Sequence, residues 1–299
     1  MPLSLIGLST FKAALRVADT ADDTQLLRDL EYVSDLIERE TKRWFQPRTA
    51  TLYFQARASL AHDLVAARHY ATTLAYAGRA SDRLLVDAFD LLTVTSLRTL
   101  TTNSSGTRTY GDTWAVTDYD LYPLNAQANR EPYWEIRANP QGSYRFPADE
   151  RGIEIIGTWG YWSDTASAGT LGAAISTTTA TSVTMTAGHS VQAGHTLLIE
   201  TEQLYVSTVA TNTLTVERAQ NGTTAATHAN STAVSRYRYP GVVEQACIDQ
   251  GQQAYRGHDA PFGQIGGGEW TEPVRLAFRS GLHPFVRRML DLVRRVEPV

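Results

Sequence analysis

Apolar residues recur with a helical period over residues 21–44. Leu26, Leu30, Val33, Ile37 and Trp44 fall on one face, and Leu27 and Leu36 widen the stripe. Asp29, Glu31, Asp35, Glu38, Glu40 and Lys42 occupy much of the remaining surface. This spacing predicts a long amphipathic helix. Thr20 is its candidate cap, Asp22 and Asp23 suit its first turn, and Pro47 bars its continuation. A shorter helix is predicted over 11–17.

Downstream the period falls to two. Residues 49–55 alternate, with Leu52 and Phe54 on one side and Tyr53 on the other. Residues 90–97, 114–117, 133–136 and 153–157 also read as strands, being rich in β-branched and aromatic side chains. Residues 119–125 look like an extended crossing segment. Between 56 and 81 no period dominates, although 60–77 admits a helix.

Composition changes near residue 163. From 165 to 235 Thr, Ala, Ser and Val dominate and basic residues are scarce. Strand-like runs at 181–186, 196–200, 203–208 and 213–218 are separated by Gly188, Gly194, Asn212 and the pair Asn221-Gly222, which are turn residues. Several short strands in so small a span predict a barrel or sandwich. It reads as an insertion, because helical patterns resume at once: Pro240 suits the start of a helix running to 256. A glycine-rich loop follows at 263–268. A last helix is predicted over 284–295, with Phe285, Val286, Met289, Leu290, Leu292 and Val293 apolar and Arg287, Arg288, Arg294 and Arg295 basic.

The expected class is therefore α+β: a helical core with a small antiparallel sheet, an inserted all-β domain and a C-terminal helical arm. The boundaries expected are a core over 1–164, the β-domain over 165–235, a core-completing helix within 236–262, and the loop and arm over 263–299.

With 299 residues, 42% hydrophobic and 19% charged, the chain has a globular composition. The net charge of −4 argues against duplex DNA as a primary ligand, since duplex binders carry a basic excess. A single cysteine, Cys247, excludes an intrachain disulfide and lies in an amphipathic pattern that suits a buried core thiol. Residues 1–7 lack the charge and apolar run of a signal peptide, and no stretch approaches the ~20 apolar residues of a membrane span. The expectation is a protein made in the cytoplasm.

No catalytic, cofactor or metal constellation is predicted. His62, His69, His189, His195, His228, His258 and His283 are scattered, without the spacing of a metal site. The run Gly263-Gln264-Ile265-Gly266-Gly267-Gly268 superficially resembles a phosphate loop but lacks the Lys-Ser/Thr step and the strand before it. Acid pairs exist at Asp22/Asp23 and Glu200/Glu202, and read best as a helix start and a solvated face. Trp159, Tyr161 and Trp162 could form a sugar platform or pack a sheet edge or subunit seam. In the last helix the arginines seven apart share a side, beside an apolar stripe, a combination that suits an interface as well as a solvated face.

Against this background, Asp29-Leu30-Glu31-Tyr32-Val33-Ser34-Asp35-Leu36-Ile37-Glu38-Arg39-Glu40-Thr41-Lys42-Arg43-Trp44-Phe45 resembles the opening helix of bacteriophage head–tail adaptor (head-completion, connector) proteins. Asp87-Ala88-Phe89-Asp90-Leu91-Leu92-Thr93-Val94-Thr95-Ser96-Leu97 is similar to a strand of that family. Asp118 to Asn125, Pro132 to Arg137 and Ile153 to Tyr161 are similar to its central and closing segments, and Pro240 to Arg256 to its last core helix. The stretches Gly194 to Glu202, Leu214 to Arg218 and Asn221 to His228 resemble a small β-module of phage structural proteins. The resemblance covers about three quarters of the chain and rests on the order of weak motifs.

The resemblance implies a structural, non-enzymatic protein of the virion neck, at the head–tail interface. It implies a homo-oligomeric ring, typically a dodecamer, below the portal protein, and a platform for a neck stopper or tail-completion protein. DNA would pass through the ring with transient, non-specific contact, and no membrane or cofactor is involved. A C-terminal segment that reaches the portal or a neighbour makes Phe285, Arg287, Arg288, Met289, Leu292, Arg294 and Arg295 the candidate partner-binding residues. A carbohydrate-binding or adhesin-type phage module is the alternative.

Overall fold

The computed structural model describes residues 3–56, 81–104, 106–259 and 281–295. The predicted ambiguous segment and the glycine-rich loop at 263–268 lie outside them. The chain divides into two compact units: residues 1–45 with 163–299, and residues 46–162.

In the second unit the strands are β1 (Arg48–Phe54), β2 (Arg83–Leu85), β3 (Leu91–Ser104), β4 (Thr107–Thr113), β5 (Tyr119–Tyr122), β6 (Glu135–Ala138) and β7 (Ile153–Trp159). They form a four-stranded sheet ordered β1-β7-β3-β4 and a three-stranded sheet ordered β2-β6-β5, with every pairing antiparallel. β7 is central and carries buried Ile153, Ile155 and Trp159. Trp159 stacks on Phe54 at 5.6 Å and meets Phe89 edge-on at 6.3 Å. Buried Glu154 is held by Arg98 across the β3–β7 ladder. β3 pairs with β7 as far as Thr99, Leu100 N–H bonds the Gly152 carbonyl at 2.8 Å, and beyond that the β3–β4 hairpin runs on as a two-stranded ribbon.

The first unit opens with α1 (Leu8–Leu15) and α2 (Asp23–Thr41). Leu26, Leu30, Val33 and Ile37 of α2 are fully buried, as their spacing predicts. Each such side chain contributes roughly 1.5–3 kcal/mol on leaving water. The helix stops before the predicted residue 44, because Lys42 turns left-handed (φ 55°) and its N–H closes on the Glu38 carbonyl. α2 packs against α4 (Gly241–Asp259), the third helix, Ala126–Asn129, being a single turn in the second unit. A β-carbon at Gly251 of α4 would stand 2.8 Å from the Phe11 ring, so the missing side chain is what lets α1 lie close. Cys247 of α4 is fully buried beside Ser34, and burial pushes its thiol up to about 12. α5 (Pro284–Leu290) completes this layer.

The remaining strands are β8 (Thr165–Thr170), β9 (Ser182–Thr184), β10 (Thr196–Ile199), β11 (Glu202–Ala210), β12 (Thr213–Glu217) and β13 (Ala233–Tyr237). Their antiparallel sheet runs β8-β13-β10-β11-β12-β9. Its two outer strands meet beyond their ends, where Leu171 bridges Met185, Gly172 N–H bonds the Thr184 carbonyl at 2.8 Å and Thr186 N–H bonds the Thr170 carbonyl at 2.9 Å. The sheet therefore closes into a small barrel around Leu171, Val183, Leu197, Leu204, Val206 and Leu214. The barrel is fastened to the helices. Leu8 N–H bonds the Ala193 carbonyl at 2.9 Å, and the Tyr205 hydroxyl donates to Glu31 at 2.6 Å. At Gly194 (φ +88°) an added β-carbon would crowd Ile6 and Leu27 at 3.1 and 3.3 Å.

A helical core with a small sheet is overturned as the fold class. Among the described residues there are 13 strands in three antiparallel sheets, and about 25% of those residues are helical. Strands β4, β8 and β13 are built from polar and small residues whose sequences show little apolar alternation, so pairing rather than burial of a side-chain face defines them. Residues 114–117 are not a strand: Trp114 leads into a 3-10 turn, Val116–Asp118, where the Asp118 carboxylate accepts Ala115 N–H at 2.6 Å.

Leu30→Asp places an unpaired charge on the buried face of α2 and is expected to cost about 3 kcal/mol or more. Urea denaturation checks this; a midpoint equal to wild type contradicts the packing described.

Candidate functional site

The nominated C-terminal residues lie on and just after α5. Pro284 occupies the first turn, and His283 Nδ1 caps it by accepting Phe285 N–H at 3.3 Å. The regular helix ends at Leu290, short of the predicted 295, and a turn follows. Val286, Leu290 and Val293 are buried, within 7% exposure, in contact with the α2–α4 layer. His283 N–H bonds Gln250 of α4 at 2.8 Å, and Arg295 N–H bonds the Thr41 carbonyl at 3.0 Å. The segment is thus seated on the helices of its own unit by one face.

The opposite face holds Phe285, Arg288, Met289 and Leu292, spaced i, i+3, i+4, i+7. Phe285 is 59% exposed and Leu292 81%, Arg288 is exposed and Met289 is half-buried. Arg287 and Arg294 lie on the flank and converge on Glu40, at 3.0 and 3.6 Å. These are surface pairs, worth ~1 kcal/mol at most.

The other sequence candidates are dispersed. Trp159 is core, with its indole N–H on the Ala50 carbonyl at 3.1 Å, so it offers no sugar platform; Trp162 instead lies under the Arg130 guanidinium. His62, His69 and His258 fall outside the described side chains. Among the described residues no group of three or more His, Cys, Asp or Glu could hold a metal ion, and no helix is long and apolar enough to cross a membrane.

The Glu200/Glu202 pair is not a solvated face. Glu202 is fully buried and accepts both forks of Arg218, Nε at 2.6 Å and Nη2 at 2.7 Å. It also accepts Ala219 and Ala226 N–H, at 3.2 and 3.0 Å. His228 stands between the two acids, 2.7 Å from Glu200 and 2.9 Å from Glu202. Arg218 reaches on to the carbonyls of Thr177, Ala180 and Ala226. The three stretches that carry the resemblance to the phage β-module meet here. Their shared chemistry is structural: the network clamps a loop with three left-handed residues, Ala219 (φ 54°), Asn221 (φ 54°) and Gly222 (φ 76°), onto the barrel. Sequence reasoning missed the buried pairing. The available signal was an acid at the start of one strand and an arginine just after the next.

Burial alone would raise the Glu202 carboxyl, but the hydrogen bonds from Arg218, the backbone and His228 outweigh it and hold the group at about 2, against 4.5 when unperturbed. Because the folded value is depressed, the stabilisation is complete above pH 4.5 and fades as pH falls towards 2. Glu202→Gln is expected to cost about 3–5 kcal/mol at pH 7, and the wild-type advantage should shrink between pH 4.5 and 2. Denaturant melts of both proteins across that range measure it; a constant gap contradicts the assignment.

Comparison of the chain with protein-family models, curated proteins and solved structures returns no match.

Proposed function

We propose that the chain is a structural subunit of a bacteriophage neck, a head–tail adaptor that rings the DNA channel below the portal and receives the next neck or tail protein. The observation that carries this reading is the two-sided C-terminal segment. One face, Val286, Leu290 and Val293, is used within the subunit. The other, Phe285, Met289 and Leu292 around Arg288, is left uncovered on a segment whose backbone is already fixed. A preordered apolar face with an arginine at its centre suits docking, because little ordering cost remains. The order of adaptor-like motifs along the chain supports the same reading. So does the extended β3–β4 ribbon, an element able to reach a neighbouring ring.

In this reading DNA slides past a wall that does not grip it, in keeping with a net charge of −4. The protein performs no chemistry; its activity is to hold geometry.

The test is assembly. The full-length chain is expected to form a closed ring or to bind portal rings, as read by native mass measurement. Phe285→Ser with Leu292→Ser should weaken that assembly at least ~10-fold, since each buried anchor is worth roughly 1.5–3 kcal/mol before ordering costs. The melting temperature should hardly move, because both side chains are exposed in the subunit. A wild-type chain that stays monomeric and ignores portal rings, or variants that assemble as well as wild type, would remove the basis for this proposal.

A further inference from the structure

The first unit holds a cavity of about 380 Å³ that the C-terminal face does not involve. Its walls come from three places: the segment leading into α1 with Ile6 and Thr10, the start of β10 with His195, and the chain from Arg236 to the first turn of α4. Its lining is polar and rich in nitrogen donors.

Among the described residues two of those donors have no acceptor. The Arg236 guanidinium meets no hydrogen-bond or ion-pair partner there, and its Nε is sealed from water. His195 is only 8% exposed. Its Nδ1 accepts Gln192 N–H at 3.1 Å, so the neutral ring carries its proton on Nε2. No described residue accepts from that Nε2–H. Buried donors in proteins are almost always partnered, and the sealed Arg236 Nε with the His195 Nε2–H beside it on a single cavity marks a place for an acceptor. Burial, and then the charge of Arg236, lower the His195 ring to about 4, so near neutral pH it stays an uncharged donor beside one cation.

Other charges on the wall are largely engaged or distant. Glu244 is turned to Tyr239 N–H at 3.4 Å, and Arg238 lies at 3.8 Å from Asp164. The nineteen-residue helix α4 begins at the rim with Gly241, adding the partial positive charge of its N-terminus. An acceptor that satisfies a planar guanidinium fork and one imidazole N–H together is an oxyanion.

We propose that this cavity binds a small oxyanion, a carboxylate or a phosphate, held by the guanidinium of Arg236 and the Nε2–H of His195. The group can be a free anion or the acid side chain of a second copy; the binding chemistry is the same. This inference stands independently of the neck reading.

The experiment titrates inorganic phosphate into the full chain at fixed ionic strength, with chloride as the reference, and follows the His195 ring by NMR. Saturable movement of the His195 resonances is expected with phosphate and not with chloride. Arg236→Met should weaken the phosphate constant at least ~10-fold, while Arg256→Met, on the exposed face of α4, should leave it unchanged. Native mass in the same titration separates the sources. Constant mass identifies a free anion, whereas dissociation on adding phosphate, mimicked by Arg236→Met, identifies the acid of a second copy. No saturable phosphate effect on His195, or an equal effect in Arg236→Met, overturns the proposal. Should Arg236→Met fail to fold, the comparison of phosphate with chloride on wild type decides by itself.

Discussion

The apolar face of α2, from Leu26 to Ile37, leaves water only because α1, α4 and α5 cover it, and the rest of the first unit depends on that contact. Gly251 sets how closely Phe11 and Leu30 approach α4. Ser34 then reaches Leu5 N–H at 3.0 Å and draws the first residues of the chain over Cys247. The same helix turns Glu31 towards Tyr205 of the barrel and Glu40 towards Arg287 and Arg294. A single amphipathic helix thereby ties down segments from the two ends of the chain and from its middle. Hydrophobic burial supplies the energy, and the polar contacts at its margins fix the orientation.

Polar groups buried elsewhere fix the geometry of a loop. Glu202, Arg218 and His228 satisfy one another and five backbone groups so fully that the loop they hold can keep three residues in the left-handed region. Replacing one member strands the others, which is why such a cluster is rigid once formed. The cavity beside His195 has the opposite character. The Arg236 Nε there is sealed from water and His195 is 8% exposed, yet neither donor meets an acceptor among the described residues. An acidic group arriving from outside would complete them.

The outward side of α5 follows the same logic in apolar form. Its inner residues contribute to the chain's own stability, and its outer residues cost little to expose singly but are worth more when covered.

The periodicity of residues 21–44, the alternation at 49–55 and 153–157, and the turn residues between 188 and 222 determined where the main helix and many strands lie. Period and turn chemistry are local, so they are legible without the fold. The sequence also placed Phe285 and Leu292 on a helix beside arginines, but not which apolar residues would face inwards. Tertiary structure decided the rest. Strands β4, β8 and β13 exist because partners pair with them, and together with the closing bridge between Leu171 and Met185 they turn an expected helical core into a largely β protein. Only long-range pairing strips water from Glu202 and brings His195 and Arg236, distant in sequence, to one cavity. Whether a polar side chain is solvated or buried depends on what arrives from elsewhere in the chain, and no local pattern encodes that.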